Sequence, residues 1–461
     1  MGNDTPLGFS TRRDFVRTAI ASAGLLAAGG VRVLGAPKPP GGGTRNPLNI
    51  PPIASPNNYG LTAAQTVVPL GGGKTSSALA YNGLFPGPTI LASTGNTATV
   101  AFTNGLSEGT TVHWHGMVVP TPADGHPKDL VPPGASYGYN FPIIQRACLN
   151  WYHPHPHMMT GEQVNLGLAG AFIVRDAEEA GLGLPSGDYE VPLIIRDANF
   201  DRSGNLIYNP RTTGFVGQIS LVNGTLDPKL NVDTALYRFR VLNGSNARIF
   251  RLALDNGAPF ILIGNDGGFL EAVVQPGQIE LGPAERLDLL VDFRNMPVGT
   301  KVMLKCLDAG WNLLQFEVTR QVSVGGQVPA TLPSISKLSN PVTTRFFSFD
   351  GMSKINGLEY DINRTDFQVP YGQTELWRFT TNGNAPHPVH VHGASFQVQS
   401  RTKGRGTVFP WERGWKDTVL LQDQETVEVL IRFDGYRGLY LIHCHKLEHE
   451  DMGMMSNFKV V

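Results

Sequence analysis

Beyond Pro52 the chain alternates apolar and polar residues with a period of two, which extended strands with one buried face satisfy and helices do not. Tyr237, Phe239 and Val241 alternate with Arg238 and Arg240. Leu287, Leu289, Val291 and Phe293 alternate with Asp288, Leu290 and Asp292, and Val427, Val429, Ile431 and Phe433 with Glu428, Leu430 and Arg432. These read as half-buried strands of antiparallel sheets. The 54 glycines and 34 prolines punctuate the apolar runs, as many short strands require. Asn-Gly pairs, a strong hairpin signal, recur as doublets: Asn82-Gly83 with Asn104-Gly105, Asn223-Gly224 with Asn243-Gly244, and Asn356-Gly357 with Asn382-Gly383. Three homologous β-sandwich domains follow, over 52–180, 186–322 and 340–461, a number that suits 461 residues.

A net charge of −1 with no basic stripe excludes an electrostatic nucleic-acid footprint. At the amino terminus, Thr11-Arg12-Arg13-Asp14-Phe15-Val16-Arg17 resembles a twin-arginine export signal, followed by a weakly apolar stretch from Thr18 to Gly30. That stretch is short, rich in Ala and Gly, and ended by Arg32, so stable membrane insertion is not expected. Export to the periplasm or another extracytoplasmic space is expected, with cleavage near Ala36 and a flexible leader up to residue 51.

Function is written in the histidines. All 12 lie at 113–157 or 387–449, and the middle third has none. Five pairs stand at i, i+2: His113/His115, His153/His155, His155/His157, His390/His392 and His443/His445. Random placement would give roughly 0.3 such pairs, so they need a cause. On a strand, i and i+2 share a face, and paired imidazoles there suit a polynuclear metal site. In His443-Cys444-His445 the histidines would face one way and the cysteine the other. Cys444, His449 and Met454, with His387 as the best remaining imidazole, form the ligand set of a blue copper centre. Zinc is the main competitor, but a tetrahedral structural site uses far fewer ligands.

Four segments carry a family resemblance: His113-Trp114-His115-Gly116; Trp151-Tyr152-His153-Pro154-His155; His387-Pro388-Val389-His390-Val391-His392-Gly393; and His443-Cys444-His445-Lys446-Leu447-Glu448-His449 with Met454. In that order the chain resembles a multicopper oxidase over nearly its whole mature length. The resemblance implies an all-β chain of three tandem cupredoxin-like Greek-key sandwiches. It also implies four copper ions: one blue ion in the third domain and a three-copper cluster between the first and third. By motif position, His387, Cys444, His449 and Met454 would hold the blue ion. His113 and His390 would hold the mononuclear member of the cluster. The binuclear pair would take His115, His153, His155, His392, His443 and His445. His126 and His157 fall outside the pattern. Asp124 and Glu450 occupy positions where the family places acids that deliver protons to dioxygen.

The resemblance further implies one-electron oxidation of a substrate docked at a surface-facing edge of His387 or His449, coupled to reduction of dioxygen to water. Only 10 methionines occur, and the segment from Gly351 to Leu376 holds just Met352, so a thioether-rich cover over the blue copper is not expected. That favours a laccase-like activity on small reduced organic molecules. Gly414-Trp415-Lys416-Asp417-Thr418 instead looks like the copper-tolerance oxidases, keeping Cu(I) as the alternative substrate. A copper-binding or envelope scaffold without turnover is the reading from another class. Cys148 and Cys306 are either one disulfide or two buried thiols. A monomer is the default, because one chain supplies every ligand.

Overall fold

The computed structural model describes residues 44–461 except 324 and 382–385. The export signal, its cleavage site and the Asn382-Gly383 pair lie outside the described residues. The rest is almost entirely β, in six sheets that pair as three tandem sandwiches. A four-stranded and a five-stranded sheet enclose Leu61, Val100, Trp114 and Tyr152. Seven- and six-stranded sheets enclose Phe239, Leu289 and Phe316 in the middle sandwich. In the third, six- and five-stranded sheets enclose Trp377, Phe379, Val429 and Ile442.

The Asn-Gly doublets divide into two kinds. Asn82-Gly83, Asn223-Gly224 and Asn356-Gly357 have positive φ at both residues (52° and 72°, 48° and 71°, 52° and 75°). A type I′ hairpin turn requires this, and Asn and Gly tolerate it best. Asn104 and Asn243 instead end strands and tie down the loops beyond them. Asn104 Nδ2 donates to the carbonyls of Glu108 and Val131, and Asn243 Nδ2 to those of Arg248 and Leu281.

Two expectations are corrected. The strand Leu236–Asn243 is buried on both faces, not one, with Arg238 and Arg240 each 1% exposed. Its polar face is covered by a charge network rather than by water. Arg240 Nε donates to Glu190 at 2.8 Å and its Nη1 to Asp288 at 3.0 Å, while Arg238 Nε reaches Asp288 at 2.8 Å. Both arginines also meet Glu179, on the segment joining the first two sandwiches. Removing one partner strands the others in a dry interior, so Arg240→Ala is expected to cost about 3–5 kcal/mol, read by urea unfolding. The flexible leader is the second correction. Asn46–Pro47 pairs in parallel with Pro228 and Lys229 of the middle sandwich, and Leu48 N donates to Lys229 O at 2.8 Å.

Cys148 and Cys306 are both buried free thiols in different cores, so the disulfide alternative fails. Among the described residues, no helix is long and apolar enough to cross a membrane.

Candidate metal centre

Register brings the histidines together. The strand His113–His115 pairs with Cys148–His153 so that His113 lies opposite His153. In the third sandwich, His387–Val391 pairs with Gly438–Cys444, setting His390 opposite His443. Trp114, between the first two histidines, points into the core. Eight imidazoles from the first and third sandwiches then converge: His113, His115, His153, His155, His390, His392, His443 and His445 are each at most 1% exposed. The ligand atoms of all but His445 form overlapping groups within 4.8 Å, including His113/His115/His153, His113/His390/His392 and His155/His392/His443. The His445 ring packs against those of His115 and His153.

Most of the rings are oriented by a bond on one nitrogen. His113, His153 and His390 donate from Nδ1 to the carbonyls of Asp124, Pro154 and Asp417 at 2.7, 2.8 and 2.8 Å. Their Nε2 atoms are buried without a partner. His392 Nδ1 donates to Asp124 Oδ2 at 2.9 Å. Glu450 stands 3.3 Å from His155 Nδ1 and 3.1 Å from His443 Nδ1. The Nε2 atoms of His155 and His392 meet that of His443 at 3.4 and 3.1 Å. His115 is reversed: its Nε2 meets Asp417 at 3.0 Å and its Nδ1 is the orphan. Both ring nitrogens of His445 lack partners. Burial pushes the imidazoles of His113, His115, His153, His155, His390, His392 and His445 below the usual range, which keeps lone pairs available. Buried lone pairs aimed at one another, with their other nitrogens held by acceptors, are what a metal cluster requires.

The second site lies on the other face of the same strand. Cys444 Sγ is 3.4 Å from His387 Nδ1 and 3.8 Å from His449 Nδ1, and the two imidazole nitrogens are 3.2 Å apart. Met454 is fully buried, and its backbone bonds to both ligand residues: its N–H donates to His449 O and its carbonyl accepts from Cys444 N. One thiol, two imidazoles and a neighbouring thioether fit a soft, redox-active copper. Burial pulls His387 down to about 3 and His449 down to about 2, and pushes the Cys444 thiol up to about 12. Copper entry must therefore expel one proton, from the thiol. Apparent affinity at this site is expected to fall about tenfold per unit of pH between about 8 and 4, as protons compete for sulfur. Calorimetry in buffers of different ionisation enthalpy counts that proton, and a count of zero would remove Cys444 as a ligand.

One expectation changes here. His387 and His449 are both 0% exposed, so neither presents a ring edge to solvent. His157 lies outside these groups, its ring 5.2 Å from Tyr360, and His126 is occupied by Asn457 at 2.9 Å. Asp124 is fully buried, and burial pushes its carboxyl up. Asp417, noted in the sequence only within Gly414-Trp415-Lys416-Asp417-Thr418, joins His115 and His390 here and was not read as a site residue.

The multicopper oxidase family matches residues 62–179 and again 327–461. The multicopper oxidase of Staphylococcus haemolyticus is 34% identical over 412 residues, spanning 87% of this chain and 88% of that protein. The chain belongs to the multicopper oxidase family. It is a copper-dependent oxidoreductase with dioxygen as acceptor. The Bacillus subtilis laccase is 32% identical, covering 81% of this chain and 88% of the laccase. Cell division protein FtsP of Escherichia coli is also 32% identical, with 92% of each covered. The crystal structure of McoA multicopper oxidase from Aquifex aeolicus superposes with a TM-score of 0.84 at 35% identity, over 90% of this chain and 99% of that one.

Proposed function

We propose that this multicopper oxidase is an exported, laccase-like enzyme acting on phenolic or similar small reduced molecules. The reading takes 52–180, 186–322 and 340–461 as cupredoxin domains, preceded by a twin-arginine signal. Four copper ions are assigned. His387, Cys444, His449 and Met454 hold the blue ion, and His113 and His390 the mononuclear member of the cluster. His115, His153, His155, His392, His443 and His445 hold the binuclear pair. Copper in these places supplies one-electron oxidation of the reductant coupled to four-electron reduction of dioxygen to water.

The observation that carries the reading is Cys444, whose sulfur meets His387 and His449 while its two neighbours face the other cluster histidines. One covalent strand thus joins both ligand sets. Asp124 and Glu450, buried against cluster histidines, are the acids placed to deliver the protons that oxygen reduction consumes. Since a single chain contributes every ligand, the working form is a monomer.

Cu(I) is the second reading. With both blue-site imidazoles buried, a small ion needs no open cleft, and the partly exposed thioether of Met452 lies three residues beyond His449. The likeness to FtsP keeps a non-catalytic copper-binding or scaffold role as the reading from another class. Oxygen uptake by the copper-loaded protein, with a phenol and with anaerobically prepared Cu(I) at matched concentration, decides. Faster uptake with phenol supports the laccase-like reading, and faster uptake with Cu(I) replaces it. A fully loaded, blue protein that consumes no oxygen with either would overturn catalysis.

A further inference from the structure

The middle sandwich has no histidine, yet one of its side chains reaches Asp417, which touches the cluster. Arg286 is 0% exposed, and its guanidinium grips both carboxylate oxygens of Asp417, with Nη1 at 2.7 Å from Oδ1. The rest of the fork is tied down. Nε donates to Leu149 O of the first sandwich at 3.0 Å, Nη1 to Ala284 O at 3.0 Å and Nη2 to Asp266 O at 3.2 Å. Thr418 Oγ1 donates to Asp417 Oδ1 at 2.8 Å. Both carboxylate oxygens are therefore accepting, and neither has a proton to give.

That settles what His115 can do. Its Nε2, 3.0 Å from Asp417 Oδ1, must carry the ring proton, which leaves the lone pair on the buried, unpartnered Nδ1. The same aspartate binds a second ligand candidate through its backbone, since His390 Nδ1 donates to Asp417 O at 2.8 Å. The two rings stack at 3.7 Å with 13° between planes. Gly116, next to His115, is part of the fit. Its φ is +86°, and a Cβ there would lie 2.7 Å from Arg286 Nη2 and 2.8 Å from Asp417 Oδ2.

We propose that Asp417, locked by Arg286 of the middle sandwich, is a positioning residue for the copper cluster: it makes His115 bind through Nδ1 and couples it to His390. The proposal rests on the reading of His115 and His390 as cluster ligands. It gives the histidine-free middle sandwich a part in cluster assembly.

The test compares Asp417→Ala and Asp417→Asn with wild type, each loaded with copper. Copper per chain, the visible thiolate–copper band and the EPR signal of non-blue copper are measured. The blue site shares no side chain with Asp417, so its band gauges folding independently. Both variants are expected to keep the blue band, to bind the remaining copper about tenfold to a hundredfold more weakly, and to show an altered non-blue signal. Full copper content at wild-type affinity with an unchanged signal would overturn the proposal. So would parallel loss of the blue band and the other copper, which marks a structural role. If the Ala variant does not fold, Asn, of nearly equal volume, decides. A wild type that binds only the blue ion would sink the underlying cluster reading instead, so the two failures are distinguishable.

Discussion

Cys444→Ser is expected to abolish the visible band and lower oxygen uptake to less than about a thousandth of wild type, a barrier increase of about 4 kcal/mol or more. A serine hydroxyl is hard and neutral where the site needs a soft anion, so the blue ion loses its strongest ligand. The cluster should survive. His443 and His445 face away from the sulfur, and the partners of His443, His155 and His392, come from other segments of the chain. Copper content should therefore fall by one ion per chain and not by all. Continued uptake at the wild-type rate would show that electrons enter elsewhere.

The second large effect is expected at Glu450. Its carboxylate is fully buried between His155 and His443, and four protons must reach this region for each dioxygen reduced. Glu450→Gln keeps the volume and some hydrogen bonding but cannot carry a proton. Oxygen uptake should fall about a hundredfold, within the usual range for a general acid, while copper content and the blue band stay unchanged. Anaerobic reduction of the blue site by substrate should keep its wild-type rate. Loss of cluster copper in this variant would mean that Glu450 holds the histidines in place rather than supplying protons.

Much of this was legible in the chain because the chemistry repeats at strand spacing. On a strand, two imidazoles two residues apart share a face, as His113 and His115 do around the core residue Trp114, whereas His155 and His157, beyond a strand end, part company. The three hairpin turns were equally local, since Asn-Gly carries its own backbone preference. What escaped depends on distant partners. Arg238 and Arg240 look like the wet face of a strand until Glu179, Glu190 and Asp288 arrive to neutralise them. Asp417 could not be paired with Arg286, because 131 residues separate them and the segment that holds Asp417 has no spacing that points to a partner. The burial of His387 and His449 likewise depends on what packs over them, which no ligand spacing encodes.

The cluster is also a report on synthesis. His155 meets His443 across 288 residues and His115 meets Asp417 across 302. Its two halves are thus translated far apart, with a whole sandwich made between them. Contacts so distant along the chain form late and slowly. A nascent chain that has released its first sandwich holds half a ligand set, and a chain stopped before residue 443 never completes one. Assembly of the eight histidines therefore marks a chain that has been translated past His445.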